Sequence, residues 1–191
     1  MENIFDVEIG YINDERIKEA ARKLVGMLPD YFFKVPTSST GKYHPKCSNV
    51  EGGLVNHTKI VVRYAKELMD DGVLFNNFTK HDSDMIILSL MLHDGLKHGV
   101  PQEKYVRFDH PILAAEFVKE HGEEVGLTSD EIDIMYGLIA SHMGEFNTSS
   151  YSKVVLPLPK TAMQKFVHMC DYLASKKFIE VEFDDNHNIV N

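Results

Sequence analysis

Several features that would place this chain quickly are scarce or absent. Its 191 residues include only two cysteines, Cys47 and Cys170, with no CxxC arrangement, so a disulfide framework or a thiolate zinc site is not expected, and a reducing cytoplasm is the simplest expectation. No apolar run approaches the ~20 residues of a membrane span. The acidic start, "MENIFDVEIGYINDERIKE", lacks the basic and apolar regions of a secretory signal. Positive charge is short as well, with 20 Lys and Arg against 29 Asp and Glu, a net charge of −9. That balance argues against sequence-independent binding to long duplex nucleic acid. It leaves room for small anionic substrates, since bound cations reverse the local sign. There is no internal repeat, no low-complexity segment and no nucleophilic Ser or Cys motif.

What is present is a core of ordinary size, 43% hydrophobic residues, and ten histidines. The patterning is helical. "NDERIKEAARKLVGML" predicts a helix from about Asp14 to Leu28, stopped by Pro29. Residues 36–53 read as a long loop, which in a small domain is usually functional or disordered. A helix over about 54–69 places His57, Ile60, Val61, Tyr64 and Leu68 on one face. The next is apolar nearly all round, and so central; Asp82 or Ser83 caps it and it ends near His93. Asp109 is placed to cap "HPILAAEFVKEHG", with His110, Leu113, Ala114, Phe117 and His121 on one face. "TSDE" at 128–131 is a capping box, opening a helix whose apolar face carries Met135, Leu138, Ile139 and His142. A last helix, about 160–177, groups Met163, Val167, Asp171 and Ala174. The tail, 178–191, alternates apolar and acidic residues and reads as a strand or short β-hairpin. The expected fold class is an all-α helical bundle forming one domain over 1–191, with its core over about 52–177.

Five helical segments thus carry a His or Asp on, or at the end of, an apolar face: His57, His93–Asp94, His110, His142 and Asp171. One such histidine would read as a hydrogen-bonded core residue. Burying four imidazoles and two carboxylates unpaired would be very costly, and convergence on metal ions compensates all of them. Without thiolate, the set suits Mn, Fe, Co or Ni, with Mg or Zn also fitting. Six ligands suit two divalent ions bridged by a carboxylate, for which Asp94 is the natural candidate.

The order of these residues resembles the HD superfamily of metal-dependent phosphohydrolases. "GGLVNHT" is similar to the segment bearing the first histidine of that family and "LMLHDGLKHG" to its HD-x-x-K motif. "FDHPILAAEF", "SHMGEF" and "HMCDYLASK" are similar to the later ligand helices. The resemblance runs from about Gly52 to Lys177. Its flanks look nearest to the HD domain of bacterial 3′–5′ exoribonucleases and to small archaeal and phage HD proteins with a "SSTGKYHP"-type loop. The chain differs from the exoribonucleases in carrying no OB-fold domain, has Met143 where many binuclear relatives have a second histidine, and lacks the "GYP" motif of the cyclic-dinucleotide subfamily.

The resemblance implies that His57, His93, Asp94 and Asp171 hold one metal and that Asp94, His110 and His142 hold a second. It implies that Lys97, three residues past Asp94, contacts substrate phosphate. The implied activity is hydrolysis of a phosphomonoester or phosphodiester, in a nucleotide or short oligonucleotide, with Asp94 and Lys97 as the catalytic residues and no membrane partner. The same ligand order also resembles that of HD-fold mixed-valent di-iron oxygenases. His44 and Lys42 either line a substrate mouth or belong to a plain surface loop; His168 either supports the ligands or touches substrate, or is a helix-surface histidine; His98 is placed to protonate a leaving group. His81, His121 and His187 read as structural or exposed.

Overall fold

A computed structural model describes residues 4–41, 44–72, 77–178 and 181–190; Lys42 lies outside them. Among the described residues seven α-helices run in order: α1 Asp6–Ile9, α2 Glu15–Gly26, α3 Gly53–Asp70, α4 Lys80–Leu92, α5 His110–His121, α6 Ser129–Ala140 and α7 Ala162–Ala174. Short 3₁₀ turns occupy Asp30–Phe33 and Lys46–Ser48. The chain is all-α: among the described residues, extended pairing is limited to two isolated bridges, Ser149 with Ser152 and Phe183 with Ile189. The tail, expected as a strand or short β-hairpin, is a turn closed by one antiparallel bridge. Asp184 Oδ1 accepts the amides of Asn186 and Asn188, and this local bonding holds the turn while leaving only one bridge pair beyond it.

The helix starts follow from side-chain chemistry. Thr128 caps α6 in the expected box with Glu131, and Thr161 caps α7 with Gln164. The start of α4 lies earlier than expected. Thr79, not Asp82 or Ser83, is the cap, and Asp82 closes the box from the third helical position; "TKHD" satisfies both orphan amides at once. Asp109 stands at the N-cap of α5 but makes no capping bond. Arg107 claims its carboxylate through two parallel bonds, Nε to Oδ1 at 2.8 Å and Nη2 to Oδ2 at 2.7 Å, and such charge-assisted forks are the stronger option.

Every residue from Asp84 to Leu92 of α4 is buried, and the helix packs against α2, α3, α6 and α7. Leu or Ile to Ala changes in it are expected to cost about 2–5 kcal/mol. Its buried Asp84 accepts the Asn13 and Asp14 amides and the Asn13 side chain, tying the start of α2 to the central helix. On α3, Lys59 is fully buried and pairs with Glu8 of α1 at 3.1 Å. Burial pushes the Glu8 carboxyl up against the opposing pull of Lys59.

Candidate metal centre

The site forms where α4 runs out. His93 follows Leu92 at the helix end, and a chain of tight turns carries the backbone on: Gly95 N–H to Leu92 O, Lys97 N–H to Asp94 O, Gly99 N–H to Leu96 O. These turns place Lys97 on the same side as Asp94, and its ammonium ion-pairs with Asp94 Oδ2 inside the protein. Lys97 is only 7% exposed, so it is no solvated surface lysine. On α3, the "GG" of "GGLVNHT" has a steric reason. Gly52 takes φ 71°, and a Cβ on Gly53 would lie 2.2 Å from the Ser48 carbonyl. That close approach seats the start of α3, and with it His57, against the preceding loop.

The six expected ligands converge. His57 Nε2 meets Asp171 Oδ1 at 2.9 Å and Asp94 Oδ2 at 3.7 Å. His93 Nε2 lies 3.4 Å from Asp94 Oδ2 and 3.6 Å from Asp171 Oδ1. His110 and His142 direct Nε2 to the other oxygen, Asp94 Oδ1, at 3.1 and 3.8 Å. Asp94 is therefore the hub, one oxygen toward His57 and His93 and the other toward His110 and His142. One placement differs from expectation: α6 ends at Ala140, so His142 stands in the turn beyond it, not on the helix face. Its amide bonds the Ile139 carbonyl as the helix tightens at its end.

The fit to a cation rests on where the protons are. The Nδ1 atoms of His93, His110 and His142 each lie within hydrogen-bond distance of the carbonyl three residues before, at 2.6, 2.6 and 2.8 Å. A carbonyl only accepts, so each Nδ1 carries a hydrogen, and Nε2 is the ring atom left to meet a cation. The three Nε2 atoms face carboxylate oxygens and one another. His93 Nε2 and Asp94 Oδ1 are buried with no hydrogen-bond partner. Two carboxylates buried this closely need positive charge among them, which the Lys97 ammonium and the His93 ring supply here and a bound cation would supply in their place. Three overlapping groups have ligand atoms all within 4.8 Å of one another: His57, His93 and Asp94; His93, His142 and Asp171; Asp94, His110 and His142. His142 is thus within reach of both halves of the cluster.

The electrostatics agree. Burial alone would raise the carboxyl pKa values of Asp94 and Asp171. The Lys97 and His93 charges hold Asp94 well below the usual range, and the hydrogen bond with His57 together with the nearby His93 charge does the same for Asp171. Burial would lower His93, but its place between the two carboxylates raises it to about 10. Burial lowers His57, and takes His142 down to about 3. The two carboxylates are thus ionised and attract cations, while His142 is a neutral donor.

Of the other histidines, His44 belongs to the site. Its ring stands edge-on to His57 at 5.1 Å, and burial beside His57 and Lys97 lowers it to about 3. His168 directs Nδ1 to the His142 carbonyl at 2.7 Å, steadying the turn that presents His142. His98 is held by the Glu103 carbonyl and the Tyr31 ring, and neither contact places it on the cluster. His81 and His121 pair with Glu131 and Glu124. His187 bonds Asn56 Oδ1 at 2.6 Å, fastening the tail beside His57. No helix among the described residues is long and apolar enough to cross a membrane. Comparison with protein-family models, curated proteins and solved structures finds no match to this chain.

Proposed function

We propose that the chain is a metal-dependent phosphohydrolase of the HD type, acting on a phosphomonoester or phosphodiester of a nucleotide or short oligonucleotide. The observation that carries this reading is a cation, Lys97, buried against the hub carboxylate of a four-histidine, two-aspartate cluster. An ammonium held beside the cluster would offset the charge of a tetrahedral anion brought to the ions. His57, His93, Asp94 and Asp171 would hold one divalent ion, and Asp94, His110 and His142 a second. Such ions supply Lewis acidity and a water of lowered pKa.

The protein's own groups do the rest. Asp94 stays ionised and divides its two oxygens between the two histidine pairs. The carbonyls of Leu90, Arg107 and Ile139 fix three imidazole tautomers, so the donor atoms are set before any substrate arrives. Lys97 directs its ammonium at charge that builds on the equatorial phosphate oxygens. The apolar end of α4 limits water around the cluster, which strengthens each of these interactions.

The test is a hydrolysis screen of nucleotides, cyclic nucleotides and short oligonucleotides with Mn²⁺, Co²⁺, Ni²⁺, Mg²⁺ or Zn²⁺. Release of phosphate or nucleotide that depends on the metal and disappears in Asp94→Ala is the expected result. Oxygen uptake with bound iron and no hydrolysis would replace this reading with the di-iron oxygenase one.

A further inference from the structure

Three of the four histidines of the cluster are locked by the main chain, and the fourth is not. The carbonyls that hold Nδ1 of His93, His110 and His142 belong to Leu90, Arg107 and Ile139. They stand at or just outside helix ends, clear of the full helical ladder. His57 lies inside α3. The carbonyl three residues before it, that of Leu54, lies within the ladder and also accepts the Thr58 hydroxyl at 3.0 Å. His57 Nδ1 is buried with no hydrogen-bond partner.

The other nitrogen of that ring is engaged. His57 Nε2 lies 2.9 Å from Asp171 Oδ1, and an ionised carboxylate only accepts, so a neutral His57 carries its hydrogen on Nε2. Nε2 is also the atom that faces the cluster. To present a lone pair there, His57 must carry its hydrogen on Nδ1 instead, and a buried N–H left without an acceptor is costly.

The fold brings a ring with a free nitrogen to this place. His44 stands edge-on to His57, with 5.1 Å between centroids and 86° between planes, and His44 Nδ1 is likewise buried without a partner. Imidazoles at this separation can join their nitrogens: the centroids of His110 and His142 are 5.2 Å apart and their Nε2 atoms 3.3 Å apart. Rotation about the soft χ2 torsion of His44 sets which edge of its ring meets His57. Other groups hold the loop itself. Asn49 Nδ2 donates to the His44 and Pro45 carbonyls at 2.8 and 3.0 Å, and the Thr37 hydroxyl donates to the Gly53 carbonyl at 2.8 Å.

We infer that His44 is a positioning residue for His57: its Nδ1 accepts the His57 Nδ1–H and holds that ring in the tautomer that presents Nε2 to a cation. The long loop before α3 thus supplies from a side chain what the other three histidines receive from the backbone, and one bond satisfies two buried nitrogens. The inference rests on the metal-binding part of the proposed function and on no particular substrate or reaction.

The experiment uses the full chain with Zn²⁺ as the probe, its affinity measured by competition with a chelating dye. His44→Phe keeps a ring in place but has no acceptor, and is expected to weaken Zn²⁺ binding by roughly 10–100-fold. His44→Asn sets an amide oxygen near the position of Nδ1 and should keep most of the affinity. Two-bond ¹H–¹⁵N spectra, with His57 assigned through His57→Gln, should place the His57 hydrogen on Nε2 in metal-free protein and on Nδ1 in the zinc-loaded form. Thermal melts establish that the variants are folded, as expected where Asn49 and Thr37 hold the loop. Wild-type affinity in His44→Phe, or equal losses in His44→Phe and His44→Asn, would overturn the role. Wild-type protein that binds no Zn²⁺ would overturn the metal centre and this role with it. Zinc binding that needs His44, with no hydrolysis of any phosphate ester, would keep the role and remove only the hydrolase reading.

Discussion

His110 Nε2 and His142 Nε2 face each other across 3.3 Å, and the other nitrogen of each ring already donates to a backbone carbonyl. Two imidazole lone pairs at that separation, with Asp94 Oδ1 beside them, form a site shaped for a positive ion. The relationship joins two residues 32 positions apart, one at the start of α5 and the other in the turn beyond α6. It makes metal binding the property to measure first.

Metal content is the first prediction. Purified protein loaded with Mn²⁺ or Co²⁺ is expected to hold two ions per chain. At free metal about 100 times Kd, binding contributes about 2.7 kcal/mol, which raises Tm by about 5–10 °C in a protein of this size. His110→Ala should lower the stoichiometry to one ion. Elemental analysis and a melting curve with and without chelator check both; a chelator that leaves Tm and metal content untouched would refute the site.

The Asp94–Lys97 pair yields a second prediction, in stability. Asp94→Ala empties the hub but also leaves the Lys97 ammonium buried without its carboxylate. Breaking a buried pair from one side costs about 3–5 kcal/mol, so the metal-free variant should be clearly destabilised in urea. Asp94→Ala combined with Lys97→Met removes the stranded charge and should recover most of the loss. If the double variant is no more stable than the single one, the pair carries no such coupling.

Much of this arrangement was legible in the sequence because its causes are local. Capping boxes at Thr128 and helical periodicity around His57 need only neighbouring residues to be read, and the order of the six ligands was visible once apolar faces had been assigned. Other features depend on distant partners. Lys59 sits in "HTKIVV", where no neighbouring residue marks it as buried; its partner is Glu8, 51 residues away. The short α1 that supplies Glu8 has too few residues to show a period. His44 has no periodicity to betray it, since it lies in a loop, and only the fold brings its ring to His57. The end of α6 before His142 was hidden because the apolar spacing continues through the turn.

Acid stability gives a third prediction, away from the cluster. Glu131 accepts Arg16 Nη1 and Nη2 at 2.9 and 2.6 Å, the Thr128 amide at 2.8 Å, and faces His81 Nε2 at 3.1 Å. The Arg16 bonds hold its carboxyl at about 2, below the ordinary 4.5. A depressed carboxyl stabilises the fold above its unfolded-state value, so this contribution is present at neutral pH and is lost as pH falls from about 4.5 toward 2. Glu131→Gln should be less stable at pH 6 and show a shallower decline down to pH 3. Arg16 is partly exposed, so added salt should shrink the difference. Urea midpoints at the two pH values measure it.

Lys97 gives the last prediction, and it separates a substrate contact from a structural ion pair. If its ammonium serves only to neutralise Asp94 in the folded protein, bound divalent ions take over that task, and Lys97→Ala should leave the kinetics of the loaded enzyme unchanged. If it binds the phosphate undergoing attack, Lys97→Ala should lower kcat/KM by roughly 10²–10³, the size of losing one electrostatic donor in a site shielded from water. Both metals should remain, since the ammonium and the cations compete for the same Asp94 oxygen and its removal frees that oxygen. Lys97→Arg should rescue only in part: the planar guanidinium cannot occupy the place of a compact ammonium that is 7% exposed. Metal content and hydrolysis of a mononucleotide and a short oligonucleotide, measured on the same preparations, decide the matter. A large kinetic loss at full metal occupancy assigns Lys97 to the substrate, and unchanged turnover on both substrates returns it to the ion pair alone.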